Sequence, residues 1–418
     1  MRQTSEPLSI GESPTESSSS ELLDSLSCRL SEARDRGLYR TRRRPGSGQG
    51  PVIHWRGRPL LNFSSNDYLS LAADPRLAKS AARAARQYGT GAGASPLVSG
   101  YLPPLRRLER RLAAWEQAAA ALVFSSGFAA NIGVITALAE SGDAIFSDAL
   151  NHASLIDGCR LSRASVHIYQ HADGNHLEVL LRRETKSARH RLIVTDSVFS
   201  MDGDWAPLSD LIDLARRYDA WLLIDEAHAS GVLGKNGRGL TEVLLPNLAS
   251  EDARLIKIGT LSKALGSQGG FVCGRRELVD WLVNRCRPYV YSTALSPPAA
   301  AAAGRAVAIV QQEPERRRHL LALGDFLRER LGAAGLAETG SRCHIVPVMV
   351  GDAAEAVNLS NHLANRGLLV PAIRPPSVPE GGSRLRISLC AGHTKEDVER
   401  LVMELKLYSI NRKRKLIR

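Results

Sequence analysis

The chain has 418 residues, 44% of them hydrophobic, and a formal net charge of +12. This predicts one large domain with a smaller partner, and six scattered cysteines without C-x-x-C spacing argue against a disulfide framework or a zinc site. With no apolar run long enough to span a bilayer and no basic-then-apolar leader, a cytosolic protein is expected, its positive field suited to nucleic acid or to an anionic, nucleotide-bearing substrate.

Residues 1–20, rich in Ser, Glu and Pro, read as a disordered tail. Residues 21–68 read as an N-terminal segment, with a helix over 21–39, a basic cluster at Arg40, Arg42, Arg43 and Arg44, and a hairpin over 52–63. Residues 69–298 read as the large domain. Helices are predicted over 76–88 and 105–118, separated by a glycine-rich loop at 89–95 that lacks the dinucleotide-binding spacing. A strand at 121–124 passes through Ser126-Gly127-Phe128 into a helix, an arrangement whose free amides favour an anion. Strands at 144–147, 167–169, 192–195, 222–225, 256–259 and 271–273 then alternate with helices. That pattern predicts an α/β fold, a mostly parallel sheet covered on both faces. Residues 299–418 read as a smaller α+β domain, with helices over 299–311, 313–331, 354–365 and 395–405 and strands over 344–350, 368–370 and 384–388. The basic terminus from Arg412 to Arg418 reads as solvated.

Two apolar runs converge in function. Trp221-Leu222-Leu223-Ile224 ends in Asp225-Glu226-Ala227-His228, and Leu255-Ile256-Lys257-Ile258-Gly259 ends in Thr260-Leu261-Ser262-Lys263. Both deliver polar groups to the carboxyl edge of the sheet, where ligands bind in open α/β folds. The chain holds nine lysines against forty-six arginines, so a lysine at this edge stands out from the composition. A pyridoxal phosphate site needs a Schiff-base lysine, a carboxylate at the pyridine nitrogen, a group stacked on the ring and a phosphate cradle. Lys263, Asp225, His152 and Gly127-Phe128 supply them. A carboxylate ~4 Å from a pyridinium contributes roughly 4 kcal/mol at an effective dielectric of about 20.

Five blocks occur in order: Ser126-Gly127-Phe128-Ala129-Ala130-Asn131, Asn151-His152-Ala153-Ser154-Leu155, Phe199-Ser200-Met201-Asp202-Gly203-Asp204, Asp225-Glu226-Ala227-His228 and Thr260-Leu261-Ser262-Lys263. Together they resemble the α-oxoamine synthases, fold-type-I pyridoxal phosphate enzymes that join an amino acid to an acyl-CoA. The resemblance spans residues 22–408. It implies that Lys263 carries the cofactor and removes the amino acid's Cα proton, while Asp225 pairs with the pyridine nitrogen. His228 and Ser200 would bond the ring's 3-oxygen region, and His152 would stack on the ring. Gly127, Phe128 and Thr260 would hold the phosphate, helped by Ser292 and Thr293 from a second subunit in a homodimer.

Ala372-Ile373-Arg374-Pro375-Pro376-Ser377-Val378-Pro379 and Arg384-Leu385-Arg386 look like the branch that condenses L-alanine with a pimeloyl thioester, on CoA or a carrier protein, in biotin synthesis. By that likeness Arg374 grips the amino-acid carboxylate, and Arg40, Asn66, Ser377 and Arg386 contact substrate. Two positions differ from the branch. Asp196 stands where glutamate is common, and Ser377 stands where threonine is common. Glycine-using branches, of the aminoketobutyrate ligase or aminolevulinate synthase kind, are the alternative within the family. Outside it, Asp225-Glu226-Ala227-His228 also matches a DEAH nucleic-acid motor. Such a motor needs G-x-x-x-x-G-K-[ST], which the chain lacks.

Overall fold

The computed structural model describes residues 17–184, 187–246, 254–336 and 340–416. The expected disordered tail therefore lies outside the described residues up to residue 16, and Ser17 already begins a helix, Ser17–Asp35. The strands are β1 (Val52–Trp55), β2 (Arg58–Asn62), β3 (Ala120–Phe124), β4 (Ala144–Asp148), β5 (Ser165–Tyr169), β6 (Arg191–Asp196), β7 (Trp221–Asp225), β8 (Leu255–Thr260), β9 (Gly270–Gly274), β10 (Ile345–Gly351), β11 (Leu368–Leu369), β12 (Ala372–Ile373) and β13 (Ser383–Ser388).

Seven of them form the central sheet in the order β3-β9-β8-β7-β6-β4-β5. Strands β4 to β8 are mutually parallel, whereas β9 runs antiparallel to both of its neighbours. The apolar run of β7 shows why the sheet is covered on both sides. Successive strand residues face opposite ways. Leu222 and Ile224 enter one core cluster, with Val123, Phe146 and Ile193, while Leu223 enters the other, with Leu122, Ile145 and Val194. Leu222, Leu223 and Ile224 are all fully buried, and only Trp221, at the start of the strand, remains exposed. Continuous Leu/Ile/Val runs are what doubly covered parallel strands require.

The small sheet is antiparallel, in the order β10-β13-β12. The predicted strand near 368 does not join it. Instead β11 pairs in parallel with β2, Leu368 opposite Leu61, and extends the N-terminal hairpin to three strands. The last helix runs past the expected 395–405, from Lys395 to Leu416, through part of the basic terminus.

The loop after β6 ties the two sheets together. Gly203 sits at φ +71, and a Cβ there would collide with the Ile345 carbonyl oxygen of β10. Its own carbonyl accepts from the Arg342 amide at 3.0 Å, and neighbouring Asp202 pairs with Arg384 on β13. Only glycine meets both demands, left-handed backbone and close approach. Gly203→Ala is expected to destabilise the fold by about 2 kcal/mol or more, read by urea unfolding. A change below about 0.5 kcal/mol, the range of an ordinary surface substitution, would contradict this reading of the junction.

Candidate active site

The carboxyl ends of β4, β6, β7 and β8 place Asp148, Asp196, Asp225 and Thr260 along one edge, with Asp196 directly opposite Asp225 in the ladder. Asp225 is held by two donors. Its Oδ1 accepts from the Ala227 amide at 2.8 Å, and its Oδ2 from Asn131 Nδ2 at 2.6 Å. Asn131 lies in the first turns of the helix Gly127–Leu138 and also donates to Ser154 Oγ at 2.8 Å. It closes the block that runs from Ser126 to Asn131, where the sequence reading assigned it no role of its own. Glu226, the second residue of the DEAH match, turns away from this chemistry. It accepts the Leu240 and Thr241 amides at 2.9 and 2.8 Å and so caps a helix start.

Lys263 occupies the turn after β8, closed by the Gly266 amide donating to its carbonyl at 2.9 Å. Its Nζ lies 2.8 Å from His228 Nε2. Burial lowers the amine from 10.5 to about 8, against the opposing pull of Asp225 and Asp196. Burial also pushes His228 well below its ordinary value, and the positive charges of Lys263 and Arg386 add to the effect. Asp196 is driven well above the usual carboxylate range, first by burial and then by the charge of Asp225. It accepts the His152 amide at 2.7 Å. His152 caps the helix Ala153–Leu161, its Nδ1 2.7 Å from Ser154 Oγ. Although His152 is exposed, the protein around it desolvates the ring and lowers its pKa.

Behind His228 stands a side chain that the sequence reading missed. The Tyr68 hydroxyl lies 2.6 Å from His228 Nδ1, and Arg386 donates to it at 3.3 Å. Arg386 is buried and donates further to Ser388 Oγ at 2.7 Å, to Asn66 Oδ1 at 3.3 Å and to the Ser200 carbonyl. Ser200 thus meets the cluster through its backbone. His344, also missed, is fully buried with its ring edge-on to Tyr68 at 4.0 Å. Burial pushes it down to about 3, so it is a neutral imidazole.

The remaining predicted residues spread outward. Ser126 caps the helix of Gly127 and Phe128 through the Ala129 amide at 3.0 Å, leaving the first two amides outside the capping bond. A Cβ on Gly127 would lie 3.4 Å from Thr260 Oγ1, which places Thr260 at that helix start. The Phe128 ring stands edge-on to His152, 6.4 Å between centroids. Arg374 sits beside the N-terminal segment. It donates to the Tyr39 carbonyl at 2.9 Å, and Arg40 is near enough for its charge to depress the Arg374 guanidinium, after burial. The Ser377 amide donates to the Arg374 carbonyl at 3.1 Å, and the Ser377 side chain is exposed. Ser292 is half-buried and Thr293 exposed, in the loop before the helix Pro297–Gln312. A surface cavity of about 1140 Å³ opens at the opposite edge of the sheet beside Trp221 and contains none of these groups.

The donor set suits pyridoxal phosphate. An amine that loses its proton near neutrality, a carboxylate fixed by two donors and a helix start whose first two amides lie outside the Ser126 cap answer the aldehyde, the ring nitrogen and the phosphate. The aminotransferase class I and II family matches residues 58–405. The 8-amino-7-oxononanoate synthase of Anaeromyxobacter dehalogenans is 49% identical over 377 residues, 90% of this chain and 93% of that protein. The chain belongs to the 8-amino-7-oxononanoate synthase family. Among solved structures it resembles a serine palmitoyltransferase from S. paucimobilis bound to a PLP–myriocin adduct, with a TM-score of 0.86 and 29% identity, covering 93% of this chain and 97% of that one. The 8-amino-7-oxononanoate synthase of Francisella tularensis aligns with a TM-score of 0.72 and 26% identity, over 85% and 98% of the two chains. Pyridoxal phosphate is the cofactor of this 8-amino-7-oxononanoate synthase family member.

A lysine held near 8 makes a pH prediction, because only the neutral amine attacks an aldehyde. Capture of pyridoxal phosphate by the cofactor-free protein, followed by visible absorbance, should accelerate as pH rises through about 8. A midpoint near the ordinary 10.5 would contradict the assigned burial.

Proposed function

We propose that the protein condenses L-alanine with a pimeloyl thioester, on CoA or a carrier protein, releasing carbon dioxide and the free thiol and forming 8-amino-7-oxononanoate for biotin synthesis. The observation that carries this reading is the half-buried Lys263 amine, 2.8 Å from His228 and within the field of Asp225, Asp196 and Arg386, in a chain 49% identical to a synthase of that name. When bound, the cofactor supplies an electron sink conjugated to the amino acid's Cα. The rest falls to the chain. Lys263, easily neutral, takes the Cα proton, and the Asp225 carboxylate keeps the sink charged. Arg386 binds the α-carboxylate, since it is the buried guanidinium whose charge reaches Lys263. This departs from the expectation that Arg374 does so.

Arg374 and Arg40 then serve the far end of the acyl chain. Two neighbouring guanidinium groups suit a second carboxylate such as the one that ends a pimeloyl group. His152 would stack on the cofactor's ring when it is bound, and Ser292 and Thr293 would help to hold its phosphate from a second subunit. The catalytic unit is a homodimer in this reading.

The test of the reaction is direct. Purified protein given L-alanine and pimeloyl-CoA should form 8-amino-7-oxononanoate, detected by mass. Condensation of glycine with succinyl- or acetyl-CoA instead would overturn the substrate assignment. The two arginines should separate in steady-state kinetics. Arg374→Ala is expected to raise KM for the pimeloyl thioester about tenfold or more with little change for alanine, and Arg386→Lys to do the reverse. If Arg374→Ala raised the alanine KM instead, the division of labour would be wrong. Shared sites are tested by mixing a Lys263→Ala chain with one altered at both Ser292 and Thr293. Subunit exchange should restore activity, and no recovery after verified exchange would refute sharing.

A further inference from the structure

One histidine outside the cluster is bonded on both sides. His171 Nδ1 lies 3.0 Å from Asp148 Oδ1, and its Nε2 lies 2.7 Å from Asp204 Oδ2. The ring stands edge-on to Phe199, 4.4 Å between centroids. Asp148 ends β4, and its second oxygen accepts the Ala172 amide at 2.9 Å while Oδ1 also takes the Leu150 amide at 2.8 Å. It is therefore a fixed anchor at the head of the segment that leads to His152. Asp204 belongs to the loop after β6, whose Phe199 amide donates to the Asp204 carbonyl at 3.1 Å. Burial alone would lower the His171 pKa. The hydrogen bonds to Asp148 and Asp204 outweigh it and raise the value to about 10, so the ring is an imidazolium with a carboxylate at each nitrogen.

The same loop also meets β13 and β10 of the small sheet. The Ser200 carbonyl accepts Arg386 Nε, Asp202 pairs with Arg384, and Gly203 packs on β10. The loop is thus a strut between the large sheet and the strand that presents Arg386. We infer that His171 is a positioning residue, whose ion pairs to Asp148 and Asp204 clamp the 199–204 loop and thereby fix Arg386 for the amino-acid carboxylate. The link to the carboxylate rests on the assignment of Arg386 made above. The clamp itself does not.

The test uses the holoenzyme and two variants. His171→Phe keeps the aromatic contact to Phe199 and removes both ion pairs. Asp204→Asn leaves the imidazolium one carboxylate short. Amide hydrogen exchange, resolved by peptide, should rise about tenfold across 199–204 in each variant and stay unchanged in the central strands. KM for alanine should rise about tenfold with kcat within about threefold, and the double variant should be no worse than the worse single one, because both act through one contact. Exchange that stays unchanged in the loop, or that rises evenly over the whole chain, would overturn the clamp. Faster loop exchange with an unaltered alanine KM would overturn its link to Arg386. An Arg386→Lys enzyme with a normal alanine KM would instead fault the carboxylate assignment and leave the exchange result standing. Should His171→Phe fail to fold, Asp204→Asn decides by the same readings.

Discussion

A lysine amine kept from bulk water at the edge of a sheet is the constraint on which this structure turns. Desolvation alone would strip its proton, and the carboxyl groups of Asp225 and Asp196 pull the other way, so the amine settles near 8. That balance requires the acids to arrive on neighbouring strands. It also requires a neutral group against the amine itself, because a second charge there would depress it further. His228, held neutral by burial, is that group. Asp196 answers a similar rule, since two carboxylates side by side in one ladder do not both ionise readily. Burial and the charge of Asp225 together raise Asp196 well above the usual carboxylate range.

The fold makes this arrangement cheap to hold. Parallel strands end at one edge, so β6, β7 and β8 present their terminal residues without any loop having to reach inward. Neighbouring elements then add what these strands cannot. Asn131, from the first turns of a helix, fixes Asp225, and β13 of the small sheet brings Arg386 to Tyr68. The site therefore depends on the junction of the two sheets as much as on the large one. Gly203, Asp202 and His171 matter because they sit at that junction.

Much of this was legible in the residues, and the reason differs from case to case. The strands of the large sheet could be read because doubly buried strands are unbroken apolar runs, and 222–224 is such a run. Lysine scarcity singled out Lys263. The pairing of β11 with the hairpin was not legible, since two residues carry no periodicity and parallel pairing depends on tertiary closure. Tyr68, Asn131 and His344 were passed over for the same reason. Each acts through contacts across a hundred residues or so, or more, and a tyrosine, an asparagine or a histidine near an element's end has no local mark of function. His171 belongs to none of the motifs that the sequence offers. Its two carboxylates come from the end of β4 and from the loop after β6, and only the fold shows that both meet one ring. Arg374 and Arg386 were both visible, but which lies near the amine is a question of depth, and the sequence orders residues along the chain.

The central claim is that Lys263 moves the Cα proton of the amino acid with Asp225 sustaining the electron sink. The most direct measurement is exchange of the α-hydrogen of L-alanine in deuterium oxide, followed by proton NMR with holoenzyme and no thioester present. The account predicts exchange by the native protein, none above background with Lys263→Ala, and a loss of about a hundredfold or more with Asp225→Asn, the scale of a general-base step deprived of its support. Undiminished exchange by the Lys263→Ala protein would contradict it.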